Sequence, residues 1–122
     1  MTCRQYVLDS DFLMLRKHHS DALSAVIERI KQARKHNHEL WKEMPVLTSL
    51  SEAFELFGFE AVTDEDDDIC SIDSLSDCQD PNQMLLFESI VPFVEPCSYI
   101  TVLETDKNFW QWFFDNNGPR AH

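Results

Sequence analysis

Two dense hydrophobic runs near the end of the chain are separated by a short polar segment. Residues 99–103 are β-branched, aromatic or aliphatic, and residues 109–114 include five aromatic side chains. The polar residues 104–108 lie between these runs, which predicts a β-hairpin over residues 98–115. Because side chains alternate along a strand, aromatic rings fall on both faces of the second run. The pattern therefore predicts a hairpin that is buried on both sides or that exposes one functional face.

Three segments repeat apolar residues at the spacing of an amphipathic helix. Their apolar stripes are Leu23, Val26, Ile27 and Ile30, then Leu50, Ala53, Phe54 and Phe57, then Met84, Phe87, Ile90 and Val91. The first stripe predicts a helix over residues 17–37. The second helix is expected to begin at a Thr48 or Ser49 cap, with Glu52 as in a capping box, and to end at Gly58. The third ends close to a proline.

The other apolar runs are short and predict strands. Residues 3–8 and 12–15 form either two strands around a turn or one long strand with a bulge. Residues 59–63 and 69–72 flank an acidic turn and predict a second hairpin. The predicted element order is β(β)-α-α-β-β-α-β-β. It indicates an α+β fold with a mainly antiparallel sheet and helices packed on one face.

Size and composition suit one domain. The chain has 122 residues, of which 43% are hydrophobic, enough for one core. We expect a single α+β domain over residues 1–115 and a flexible tail over residues 116–122. No apolar run approaches about 18 residues and the start resembles no signal peptide, so we expect a cytoplasmic protein. The cysteines lack a CxxC spacing and are expected to be free thiols: Cys3, Cys70, Cys78 and Cys97.

The formal net charge of −12 is distributed unevenly along the chain. Residues 1–44 carry eight Lys and Arg against six acids, whereas residues 45–122 carry two against sixteen. A surface this acidic repels nucleic-acid phosphates and anionic membranes. It favours a basic protein partner, or it serves only to keep the protein soluble.

The acidic residues 64–68 suggest a calcium site, but the surrounding pattern does not support it. An EF-hand loop needs Gly at its sixth position and Glu at its twelfth, and the stretch that begins at Asp64 has neither residue at those positions. A solvated hairpin tip is the simpler interpretation. The pairs His18/His19 and His36/His38 lie about 27 Å apart at opposite ends of the predicted helix, so they cannot share one ion. We therefore expect no metal and no cofactor.

Three stretches of the last third together resemble a known pattern. They are PFVEPCSYI, ETDK and WQWFF, at residues 92–100, 104–107 and 110–114. They resemble the pattern PYVxxGSYIxxxGEDGxxWRWxF, which is typical of a group of small bacterial α+β proteins with a C-terminal hairpin. The chain departs from it where the group has glycines or arginine: Cys97, Glu104, Lys107 and Gln111. The resemblance implies a small α+β domain, and it transfers neither an activity nor catalytic residues.

The acidic surface beside an aromatic hairpin favours a small protein–protein interaction module. An immunity or inhibitor-type protein would occupy a basic site on its partner. The residues expected to bind are Asp64, Glu65, Asp66, Asp67, Asp68, Glu104, Asp106, Trp110 and Trp112. The alternatives are a small hydrolase or metal-dependent enzyme with a Cys/His site, although no local motif marks a reactive thiol, and a nucleic-acid mimic. Direct nucleic-acid binding is not expected, and the pattern leaves the oligomeric state open.

Overall fold

The computed structural model describes residues 5–36, 46–74, 83–104, 109–114 and 119–121. Within these ranges, the helices are α1 (His19–His36), α2 (Leu50–Leu56) and α3 (Gln83–Ile90), with short 3₁₀ helices at Arg16–His18 and Val91–Phe93. The strands are β1 (Gln5–Asp11), β2 (Phe59–Thr63), β3 (Ile69–Ser74), β4 (Tyr99–Glu104), β5 (Phe109–Phe113) and β6 (Pro119–Ala121). The predicted α+β class is confirmed, and every strand pair is antiparallel.

The sheets have the strand orders β1-β4-β5-β6 and β2-β3. The C-terminal hairpin lies where the sequence predicted it, with Tyr99 opposite Phe113 and Ile100 opposite Trp112. β1 is one strand whose register shifts between Val7 and Asp9, as in the bulged alternative, but it ends at Asp11 and does not continue through residues 12–15. Strand β6 pairs with β5. It was not predicted, because it lies in the segment that was expected to be a flexible tail.

All three helices contribute to one core on one side of the four-stranded sheet. Phe87 of α3 lies at its centre, with ring centroids 5.7 Å from Trp112 and 5.2 Å from Phe59. Phe54 of α2 reaches the same cluster through an edge contact of 6.3 Å with Phe12. The buried apolar side chains of the described residues form one continuous cluster.

The helix boundaries follow local chemistry closely. Helix α1 buries Ala22, Val26 and Ile30, so the stripe that faces the core is rotated slightly from the predicted one. At the start of α2, the Ser49 Oγ accepts a hydrogen bond from the Glu52 N–H at 3.3 Å. The Glu52 carboxylate in turn accepts from the Thr48 N–H at 2.6 Å, and this bond holds the pKa of Glu52 below its usual value.

Serine side chains join the two sheets along the line where β1 lies beside β3. The Ser74 Oγ accepts a hydrogen bond from the Val7 N–H at 2.6 Å, and the Ser10 Oγ accepts one from the Ile72 N–H at 3.2 Å. The hydroxyls of Ser10 and Ser71 lie 3.0 Å apart. We call Ser10, Ser71 and Ser74 the serine seam. Across it, the strands follow one another as β6-β5-β4-β1-β3-β2.

One backbone bridge completes this junction. Met14 exchanges two backbone hydrogen bonds with Ile69, at 2.9 and 3.0 Å. The run 12–15 therefore forms an isolated bridge rather than a strand, which excludes the prediction of two strands around a turn. Among the described residues, none of the helices combines the length and apolar character needed to cross a bilayer.

Candidate protein-binding surface

The acidic turn, residues 64–68, is a defined structure between β2 and β3. One carboxylate oxygen of Asp64 accepts backbone hydrogen bonds from Asp66 at 2.9 Å and from Asp68 at 3.1 Å. The Asp64 N–H donates to the Asp68 carbonyl at 3.0 Å, which closes the turn. Asp67 has a φ of 66°, in the left-handed region that aspartate tolerates better than most residues. The aspartates therefore shape their own turn.

The acidic turn is fixed to the residues that precede α1. The Arg16 N–H donates to Asp68 Oδ1 at 2.7 Å, and the Arg16 guanidinium lies 3.9 Å from the Asp67 carboxylate. Both of these charged side chains are 70% exposed, so the ion pair adds little stability. The backbone contact to Asp68 is what positions the turn, and the turn remains accessible to solvent.

Three carboxylates of the acidic turn are close enough to share a cation. Oxygens of Asp64, Asp66 and Asp68 lie within 4.8 Å of one another. Oxygen ligands of this kind suit Ca²⁺ or Mg²⁺. However, Asp64 already accepts the backbone hydrogen bonds that build the turn, and Asp68 accepts the one from Arg16 that positions it. Exposed acidic side chains commonly cluster without an ion, so this grouping alone does not make a metal site.

The side of the four-stranded sheet opposite the helices carries a mixed polar and aromatic surface. Ile100 and Val102 are fully buried on the helix side, so the alternate residues of β4 face the other way. Paired residues share a face, which assigns seven residues to this helix-free face: Asp9, Asp11, Tyr99, Thr101, Leu103, Gln111 and Phe113. This face therefore combines residues that lie near opposite ends of the amino-acid sequence.

Hydrogen bonds and ring contacts organise the helix-free face. The Tyr99 hydroxyl donates to Asp9 Oδ2 at 3.0 Å, and the Gln111 amide donates to the Thr101 hydroxyl at 3.0 Å. The rings of Tyr99 and Phe113 lie 5.9 Å apart. The hydrogen bond to Asp9 raises the pKa of Tyr99 above its usual value, since the bond requires the phenolic proton, and the negative charge of Asp9 adds to the effect.

Strands β2 and β3 carry a like-charge pair. Glu60 lies directly opposite Asp73 in the register, and both side chains are exposed. Like charges in directly opposite positions destabilise a sheet. The Asp73 carboxylate accepts a hydrogen bond only from the adjacent Ser74 N–H, at 2.8 Å, among the contacts of the described residues. No described cation neutralises this pair.

Charge is segregated across the described part of the molecule. Up to Glu104, the six Lys and Arg residues of the described ranges all belong to the first 3₁₀ helix or to α1: Arg16, Lys17, Arg29, Lys31, Arg34 and Lys35. Strands β1 to β3 and the acidic turn hold nine acids and no Lys or Arg. The molecule therefore has a basic helix and an acidic group of strands, which meet where Arg16 and Lys17 lie beside the acidic turn.

The structure separates the residues that the sequence proposed for binding. The five acids of the acidic turn lie together at the surface, with Asp68 partly buried. Trp112 is 2% exposed and packs against Phe87, so it belongs to the core and offers no surface to a partner. Asp106 and the side chains of Glu104 and Trp110 lie outside the described residues.

Several charged residues of this surface were not identified from the sequence. Asp9, Asp11, Glu60 and Asp73 are isolated acids, so no charge run marks them. The alternation of side chains along each strand was the one available indication, and it places Asp9 and Asp11 on the same face. The alternation could not indicate which face the helices would leave uncovered.

The enzyme alternative requires a cysteine beside a histidine. Cys70 and Cys97 are exposed free thiols, while Cys3 and Cys78 lie outside the described residues. An open groove of about 390 Å³ between α1 and α3 includes His36, and the Arg29–Glu88 ion pair of 2.8 Å closes part of it. Neither described thiol lines this groove.

No protein-family model, curated protein or solved structure matches this chain.

Proposed function

We propose that this protein is a small acidic interaction module that binds a basic protein partner, as an inhibitor or immunity-type protein occupies a basic site. The observation that carries the proposal is the segregation of charge. Nine acids belong to β1, β2, β3 and the acidic turn, whereas the six Lys and Arg residues of the described ranges up to Glu104 all belong to residues 16–35. A field of one sign on one part of a surface steers an oppositely charged partner and fixes its orientation.

Repulsion between like charges supports the same proposal. Glu60 and Asp73 oppose each other across a strand pair with no described cation beside them, and five acids are consecutive in the acidic turn, where Arg16 pairs with Asp67. This arrangement costs stability in the isolated protein. A cationic partner would relieve the repulsion on binding, so the cost becomes part of the binding free energy.

The helix-free face adds contact area beside the charges. Tyr99 and Phe113 are partly exposed and lie next to Asp9 and Asp11 in the sheet. Aromatic side chains are enriched in protein interfaces because they bury a large area at a low entropic cost. A partner with basic residues around an apolar centre would complement this arrangement.

The test begins with capture of the partner from the native host and its identification by mass spectrometry. Its dissociation constant is then measured by calorimetry at two salt concentrations. Raising NaCl from about 50 to about 500 mM should weaken binding about tenfold or more, because salt screens exposed charges. A dissociation constant that does not respond to salt would contradict the proposal.

Matched charge variants locate the contact. Asp11→Asn with Glu60→Gln removes two acids from the strands, and Glu28→Gln with Glu55→Gln removes two from the exposed sides of α1 and α2. Both double variants change the net charge equally. We expect the first to weaken binding about tenfold and the second to have at most about a twofold effect. The reverse order would place the partner on the helices and refute the assignment.

A further inference from the structure

The edges of the described strands are protected unequally. An unpaired edge presents backbone N–H and C=O groups to which another strand can bind. At one end of the strand order, β6 has three residues and begins with Pro119, which has no N–H to donate. The outer edges of β1 and β3 face each other across the serine seam. Strand β2 is the remaining edge.

The outer edge of β2 has no proline and no basic side chain, and its register shift lies at its end, between Val62 and Thr63. Its five residues, Phe59–Thr63, contain no proline, lysine or arginine, and β2 pairs only with β3. No backbone hydrogen bond joins β2 to a described residue outside that pair. Phe59 is buried, whereas Glu60 is exposed and Val62 is 38% exposed. The strand is therefore extended and paired on one side, and its other edge has no backbone partner among the described residues.

The charges around β2 select the strand that can add to it. Pairing with a second copy would bring Glu60 and the acidic turn close to the same acids of the other molecule, and each chain carries a net charge of −12. Like charges across a strand pair oppose that assembly. A strand with Lys or Arg at alternate positions would instead place its cations beside Glu60 and its apolar residues on the side of Ala61.

We propose that β2 accepts an extended Lys- or Arg-containing segment of the basic partner as an additional strand. The inference rests on the proposed function and specifies its mode of binding. Backbone hydrogen bonds along β2 supply affinity that does not depend on the partner's sequence, whereas Glu60 and the acidic turn select for positive charge. Addition of this strand extends the order to β6-β5-β4-β1-β3-β2-partner.

Two synthetic peptides of equal charge test this mode with the full chain. The first is Lys-Val-Lys-Val-Lys-Val-Lys, which can form a strand. The second replaces each Val with Pro, so half of its backbone N–H donors are absent and it cannot form a regular strand pair. We expect the first peptide to bind about tenfold more tightly at low salt. On binding, it should slow amide hydrogen exchange within residues 59–63 about tenfold, while residues 119–121 do not change.

The outcomes separate this inference from the function on which it rests. Equal affinities of the two peptides, with binding that weakens with salt, would refute strand addition and leave the proposed function in place. Absence of binding by both would overturn the proposed function and the inference together. Tighter binding of the Val peptide with protection confined to β6 would also refute the role of β2.

Discussion

At the scale of single residues, the contact between Tyr99 and Asp9 joins the two ends of the chain. A strand near the C terminus provides the hydroxyl donor, and β1 provides the acceptor, 3.0 Å away. The contact depends on the protonation state of the phenol, because the phenolate has no proton to donate. The raised pKa of Tyr99 therefore means that this interaction favours folding only while the phenol is neutral.

Replacement of Tyr99 should change how stability depends on pH. The folded state holds the Tyr99 proton more tightly than the unfolded chain, in which the pKa is about 10. The contribution is therefore complete below about pH 10 and is lost as pH rises through the folded-state pKa. We expect Tyr99→Phe to be less stable than the wild type at neutral pH and to lose less stability between about pH 9 and 11. Urea unfolding followed by fluorescence measures both, and parallel pH curves would contradict the assignment.

At the scale of elements, the serine seam is the least regular junction of the sheet. Backbone ladders join β4 to β1 and β5, the first with one bulge, whereas serine hydroxyls and the Met14–Ile69 bridge join β1 to β3. Hydroxyl hydrogen bonds to backbone groups satisfy the strand edges without a continuous backbone ladder. The β2–β3 hairpin therefore depends on a few side chains for its position.

Removal of the central serine should loosen that hairpin. Ser10→Ala removes the acceptor of the Ile72 N–H and the contact with Ser71. We expect a loss of about 1–2 kcal/mol in the free energy of unfolding, because a partly buried donor loses its partner. Hydrogen exchange of β3 amides should also accelerate. Ser24→Ala, at an exposed position of α1, is the control and should change stability by less than about 0.5 kcal/mol.

The helices and the two hairpins could be predicted because local periodicity specifies them. The stripe containing Val26 and Ile30 defined α1, and the cap at Ser49 defined the start of α2. Strand β6 could not be predicted, since three residues with a proline carry no strand pattern and form a strand only beside β5. The serine seam could not be predicted either, because nothing in the sequence around a serine indicates a hydrogen-bond partner more than sixty residues away.

At the scale of the whole molecule, the acidic strands combine a charge arrangement with an open edge. Glu60 belongs to both, since it is paired with Asp73 and lies on the strand proposed to accept the partner. Such repulsion reduces the stability of the free protein and favours the bound state. A substitution that relieves the repulsion should therefore change stability and binding in opposite directions.

The substitution Glu60→Lys tests whether stability and binding change in opposite directions. An opposite-charge pair with Asp73 should raise the free energy of unfolding by about 0.2–1 kcal/mol relative to the neutral control Glu60→Gln. The same change should weaken binding of the Lys-Val peptide more than the control does, because it brings like charges together. Thermal unfolding and calorimetry provide the two measurements. A variant that binds more tightly than the control would contradict the proposed role of Glu60.

The sequence by itself determined the three helices, the two hairpins, their order and the α+β class, because alternation and helical spacing are properties of neighbouring residues. It also determined the excess of acids, including the acidic turn. Only the tertiary structure decided which side of the sheet the helices cover, that Trp112 is a core residue, and that Asp9 and Glu60 belong to one acidic group of strands. The physical reason is that local periodicity gives each strand two distinct faces and two edges, whereas their burial and pairing depend on elements distant in the chain.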